Sequence, residues 1–261
     1  MRNVLAIIER EFRAYFISPV AYVVLTIFAF LSGLFFNTIL TQIMQYAMMQ
    51  AMQGAQFGRG PTPIDVPGIV SRQFLQTMSV ILLFMIPMIT MALFSEEKKR
   101  GTIELLLTAP LTDLEVVLGK FFAAAAFYLI LLLSTCIPMA VLYLYGSPAS
   151  GPILTAYLGL LLYGLAILAI GLFISTLTEN QIIAAVLSFG TIMVLWLVDV
   201  VAQNAESSWS KGVLSYLSIL SHLDDFMKGI LSTSHIIFYL SLMLGALFLT
   251  YRSIDSLRWR G

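Results

Sequence analysis

Six apolar runs, each close to the length of a membrane-crossing helix, constrain this chain more than any motif it carries. They are Val20 to Leu40, Phe74 to Phe94, Val116 to Tyr145, Ile153 to Leu177, Ile182 to Val201 and His235 to Tyr251. A helix needs about 20 mostly apolar residues to span the hydrocarbon core of a bilayer. Charged residues make up 11% of the chain, where a soluble domain carries roughly a quarter. The expected fold is an all-α polytopic membrane protein with six transmembrane helices, forming a single domain over residues 1–261. Such a length leaves no room for a separate soluble catalytic domain. The single Cys136 lies within an apolar run, so no disulfide forms within the chain. Zero net charge speaks against a nucleic-acid partner.

Helix starts are well marked. Ser18-Pro19 supplies an N-cap and a first-turn residue for the first span. Thr112-Asp113-Leu114-Glu115 reads as a capping box opening the third, and Thr178-Glu179-Asn180-Gln181 as one opening the fifth. Before the first span, Val4, Leu5, Ile8, Phe12, Tyr15 and Phe16 follow helical spacing, with Glu9 and Arg13 placed to pair at i, i+4. Residues 1–17 are therefore expected to form a helix lying in the membrane interface. Acidic Glu9 and Glu11 precede the first apolar run, which exceeds a signal-peptide core, so the N-terminus reads as retained. With the N-terminus inside, ten basic residues lie on inner segments and four on outer ones (Arg59, Arg72, Lys211 and Lys228). This asymmetry places both termini in the cytoplasm.

Between the second and third runs lies Ser95-Glu96-Glu97-Lys98-Lys99-Arg100-Gly101-Thr102-Ile103-Glu104-Leu105-Leu106-Leu107-Thr108-Ala109-Pro110-Leu111. Six charges in its first ten residues cannot lie in hydrocarbon, so the chain surfaces here. A short helix is expected next, with Ile103, Leu106 and Leu107 on one stripe and Pro110 as its stop. One reading is a solvated loop that only fixes topology. The other is a docking element in which Gly101 breaks direction, Leu106 and Leu107 enter an apolar groove on a partner, and Glu97, Lys98 and Arg100 stand as rim charges. Ser175 to Gln181, at the same membrane side, is too short and weakly charged for a large contact.

The insert resembles the coupling region of ABC-2 type permeases, where E-x-x-x-G-T-x-E-x-L-L-x-x-P recurs; Glu97, Gly101, Thr102, Glu104, Leu106, Leu107 and Pro110 occupy those places. Residues 1–17 are similar to the elbow helix of that family. Gly212 to Ser234, too polar to span, resembles its outer re-entrant segment before the last span. Arg10 to Pro19 and Asp224 to Ile230 look like the branch serving gliding motility and nitrous-oxide-reductase maturation. The resemblance implies two permease subunits, here read as a homodimer, working with two cytoplasmic ATPases. It implies that the coupling residues Glu97, Lys98, Arg100, Gly101, Thr102, Glu104, Leu106, Leu107 and Pro110 carry the ATPase motion to the spans. ATP and Mg would be bound by the partner ATPase, with no cofactor in this chain. The resemblance further implies a bacterial inner membrane, export or mechanical action on an outer-face partner, and sometimes a periplasmic accessory protein.

Other side chains carry two readings each. Met44, Met48, Met49 and Met52 offer soft thioethers suited to Cu(I), or simply a flexible apolar face. His222, Asp224, Asp225 and His235 suggest either a metal or acid–base site, hence an intramembrane enzyme, or polar anchors at the water boundary. Asp199 reads as interfacial or hydrogen-bonded. Gly159, Gly164, Ala166, Ala169 and Gly171 thin one side of the fourth span, and Ala184 and Ser188 do so in the fifth. They allow close packing within the subunit or between subunits. No G-x-x-x-x-G-K-[ST] loop is present, so the chain has no P-loop ATPase of its own and is not expected to be an enzyme. The span centres hold no Asp, Glu, Lys, Arg or His, which weighs against an autonomous channel or ion-driven secondary transporter, the alternative reading.

Overall fold

A computed structural model of the protein describes residues 2–56, 65–103, 111–203, 212, 214 and 216–258. Among the described residues there is no strand. The helices are α1 (Arg2–Ile17), α2 (Pro19–Gln56), α3 (Val66–Thr90), α4 (Ser95–Lys99), α5 (Asp113–Ser134), α6 (Cys136–Gly146), α7 (Ser150–Ser175), α8 (Gln181–Gln203), α9 (Ile219–Met227) and α10 (Thr233–Arg258). Six helical segments are long and apolar enough to cross a membrane, α5 and α6 together making one of them.

Local chemistry sets the helix ends. Ser18 Oγ accepts from the Val20 amide at 3.3 Å, and Pro19 opens α2. Thr112 and Glu115 form the reciprocal capping box of α5. The fifth span differs from expectation. Thr178 Oγ1 accepts from the Asn180 amide at 3.1 Å, so the cap passes to Asn180, whose Oδ1 accepts from Ile182 at 2.9 Å. Asparagine serves as well as threonine at this position.

Three spans depart from their expected limits. The second begins at Val66, eight residues before Phe74, with Asp65 Oδ1 accepting from the Gly68 amide at 3.0 Å. Arg72, counted among the outer basic residues, lies inside this helix and pairs with Asp224 at 2.8 Å. The third is broken at Thr135 into α5 and α6. Pro138 cannot donate to the carbonyl four residues earlier and crowds it. The Thr135 amide turns to Leu132 at 3.1 Å, and its hydroxyl lies 3.0 Å from Tyr157 Oη. α2 runs 38 residues. At 1.5 Å per residue that is about 57 Å, well beyond a hydrocarbon core of about 30 Å. Met44, Met48, Met49 and Met52 lie exposed along its far end.

α7 sits at the centre, packed on α3, α5, α8, α9 and α10. Its small residues serve these contacts inside the subunit. A Cβ on Gly159 would lie 2.6 Å from Phe226 Cβ, and one on Gly164 would meet the Tyr128 ring at 2.1 Å. Ala166, Ala169 and, on α8, Ala184 and Ser188 are fully buried. α2, α8 and α10 turn most of their apolar surface outward. The bundle has two polar ends. One gathers α1, α4, the start of α5, Thr176 and Ser253. The other gathers the start of α3, the α6–α7 turn, α9 and the start of α10.

Candidate functional site

The charged insert is built on a five-residue helix. Acidic Glu96 and Glu97 lie in the first turn of α4 and basic Lys98 and Lys99 in the last, the order that complements a helix dipole. Gly101 closes the helix at φ +68, where the Gly101 amide bonds Lys98 O at 3.1 Å and the Thr102 amide bonds Glu97 O at 3.0 Å. This Schellman closure requires a left-handed residue, which glycine provides without strain. Gly101 thus ends α4 as a left-handed residue.

Beneath the insert lies a buried cation. Lys120, on the second turn of α5, is 1% exposed. Its ammonium has three donors, and three acceptors surround it: Leu93 O at 2.7 Å, Glu97 Oε1 at 2.9 Å and Glu11 Oε1 at 3.2 Å. The Phe94 ring centroid lies 5.1 Å from Nζ, within cation–π range. Arg10 adds a second cation, 3.4 Å from Glu97 Oε1 and paired with Glu11. Burial alone would raise the Glu11 carboxyl, but Lys120 and Arg10 outweigh it and hold it below the usual carboxylate range. Four charges from three helices thus close on one another.

Glu97 and Lys98 do not stand at a rim. Glu97 turns inward to Lys120, because a buried ammonium needs a counterion more than solvent needs another carboxylate. Lys98 reaches across to Thr176 O at 2.5 Å. Burial lowers its ammonium and Glu179 opposes the shift. Thr176 in turn donates to Ser253 Oγ at 2.9 Å, tying the α7–α8 turn to α10. Arg100 remains exposed and pairs with Glu96 on its own helix. Gly101 and Thr102 are exposed as well. Glu104, Leu106, Leu107 and Pro110 lie outside the described residues.

α1 completes the assembly. Ile7 packs so closely on Gly119 that a Cβ there would fall 2.5 Å from Ile7 Cγ2. Asn3 Nδ2 donates to Glu115 Oε1 at 3.2 Å and Tyr15 Oη to Ile89 O at 3.1 Å. The expected Glu9–Arg13 pair is present on the outer side of the helix. Leu5, placed by spacing on the apolar stripe, is 65% exposed, and Ile7 takes its place in the core. Sequence reading missed Lys120, Glu11 and Arg10 as partners of the insert. The available signal was a lone lysine at the head of an apolar run.

At the other end His222, Asp224, Asp225 and His235 do come together. Arg72 and Lys228 flank Asp224, while His235 Nε2 lies 3.0 Å from Asp225 Oδ2. His222 Nδ1 is 2.6 Å from His235 Nδ1, and His222 Nε2 is 3.0 Å from Tyr216 O. Every imidazole nitrogen therefore has a partner within the protein. Among the described residues no group of three or more His, Cys, Asp and Glu side chains is arranged to hold a metal ion. Asp199 accepts from Ser218 Oγ at 2.9 Å.

The family profile of ABC-2 family transporter proteins matches residues 5–253. Among known proteins, the chain is 27% identical over 138 residues to the probable multidrug ABC transporter permease YbhR of Escherichia coli, in strain K12 and in O157:H7. The match spans 52% of this chain and 37% of that relative. The profile covers nearly the whole bundle, from within α1 to the last turns of α10. This chain belongs to the ABC-2 family of transporter proteins and is a multi-pass membrane protein.

Proposed function

We propose that this subunit receives work from a separate cytoplasmic ATPase through residues 95–110 and converts it into movement of its spans. The Lys120 end then faces the cytoplasm, with both termini, and α1 lies in the inner-leaflet interface. The supporting observation is the Lys120 cluster. Glu97 of the insert shares one buried ammonium with Glu11 of α1, and neighbouring Lys98 holds the α7–α8 turn. A push on the insert therefore reaches α1, α5, α7 and α8 through short, directional bonds rather than through a slack loop. Two permeases, identical copies, would pair with two ATPases, and the bundle would export cargo or act on an outer-face protein. ATP and Mg would be held by the partner.

The test is ATP turnover of the partner ATPase, purified with and without this chain in lipid. Stimulation is expected with the native subunit and lost with Glu97→Lys or Leu106→Asp. Full stimulation by both variants, with the folded bundle intact, would overturn the assignment of the insert.

A further inference from the structure

We infer that the cavity enclosed by α1, α2 and α3, with α4 and α5 at its side, holds one ammonium-headed lipid from the adjoining leaflet, an aminophospholipid. The chain reverses at Ser18-Pro19, and this corner stands off the end of α3 to leave a cavity of about 320 Å³. Ligand sites begin at about 300 Å³. Ala21, Val24, Ile89 and Leu93 give it apolar walls. Tyr15 and Phe127, stacked at 5.2 Å, form an aromatic side. Val20 and Met88, also in its lining, are 47% and 41% exposed on the outward surface of the spans, so the cavity opens where lipid lies.

Charge selects the headgroup. The charged residues lining the cavity, Glu11 and Glu96, are both acidic. Arg10 and Lys120 meet Glu11 through Oε1, and Arg100 meets Glu96 through Oε1. Each carboxylate keeps a second oxygen for another donor. A primary ammonium can donate to both and sit against the aromatic pair. A trimethylammonium has no proton to donate, and a glycerol head offers only neutral hydroxyls, so the primary ammonium is the one head that gives each carboxylate a charged donor. The lipid chain then continues along the apolar walls into the leaflet. Because Glu11 also binds Lys120 and Glu96 adjoins Glu97, an occupied cavity would brace the joint beneath the insert.

The experiment is native mass spectrometry of the purified full-length chain with equimolar phosphatidylethanolamine, phosphatidylcholine and phosphatidylglycerol. One phosphatidylethanolamine should be retained over either competitor by about tenfold, the worth of one hydrogen bond to a charged group. Ala21→Trp should abolish that retention by filling the cavity, and Glu96→Gln should weaken it. If Ala21→Trp does not fold, the lipid competition on the native chain decides alone. Equal retention of the three lipids overturns the proposal. So does binding of dodecylammonium without retained phosphatidylethanolamine, which would mark a site for soluble amphiphiles. The assay contains no ATPase, so its failure would leave the coupling proposal standing.

Discussion

Lys120 Nζ and Glu97 Oε1 lie 2.9 Å apart, joining the head of an apolar span to the charged insert that precedes it. A cation that is 1% exposed survives in such a place only because its carboxylate and carbonyl partners replace water. The pair therefore fixes the position of the insert whatever partner docks on it.

Removing one side should be far worse than removing both. Lys120→Met leaves Glu97 and Glu11 to share Arg10 alone, and breaking such a buried pair costs up to about 3–5 kcal/mol. The double variant Lys120→Met, Glu97→Gln should regain much of that loss, leaving only Glu11 to its Arg10 partner. Thermal unfolding of the purified chain in detergent measures both. Equal loss in the single and double variants would show that the two side chains act independently.

Gly119 is the contact that lets α1 lie flat on α5. A leucine at this position would drive a side chain through Ile7, already only 2.5 Å from where a Cβ would sit. Gly119→Leu should release α1 while leaving the remaining bundle folded. Hydrogen exchange of residues 2–17 should rise sharply, with exchange in α7 unchanged. Retained protection of α1 would mean that the Asn3, Glu11 and Tyr15 bonds suffice without close packing.

The bundle was legible in the sequence because its signals are local. Apolar length gave six spans, and Ser18-Pro19 and Thr112 to Glu115 marked two starts that the structure keeps. The break at Thr135 was missed although Pro138 was in plain sight, since membrane helices tolerate proline where neighbours re-satisfy the backbone, and the contact between Thr135 and Tyr157 beside the break depends on packing. The inward turn of Glu97 was not legible at all. It depends on Lys120, Glu11 and Leu93 O, which are brought together by packing rather than by spacing. The same limit applied to His222 and His235, whose proximity required α9 to fold back on α10.

Lys98 offers a separation of folding from coupling. Its bond to Thr176 O is partly exposed, so its loss should alter stability little. Under the proposed function, Lys98→Met should nonetheless weaken stimulation of the partner ATPase, because the α7–α8 turn no longer follows the insert. Lys98→Arg, which can still donate to a carbonyl, should restore part of it. ATP turnover alongside thermal unfolding distinguishes the two effects; loss of both together would make Lys98 a structural residue only.

The histidine pair should make the His222 end weaken in acid. Burial lowers the His222 imidazole, and the neighbouring His235 adds to this, while Tyr216 O and Asp225 oppose it. His222 Nε2–H donates to Tyr216 O, so its Nδ1 must accept from His235 while His235 Nε2 faces Asp225. A proton on His222 Nδ1 would set two N–H groups head to head. Arg72 and Lys228 already occupy Asp224, Lys228 and His235 share Asp225, and the Phe238 ring stacks on His222 at 4.0 Å, so the described neighbours of His222 offer the new proton little compensation. The folded state thus takes this proton less readily than the unfolded chain, whose imidazole titrates near the usual value of about 6.5. The stabilisation is complete above that value and is lost as pH falls through the window beneath it, by up to about 1.4 kcal/mol per pH unit. Hydrogen exchange of residues 216–235, corrected for its intrinsic pH dependence, should therefore increase between pH 7.5 and 5, on the order of tenfold per unit within the window. His222→Gln should flatten the profile. An identical slope in the variant would place the titrating group elsewhere.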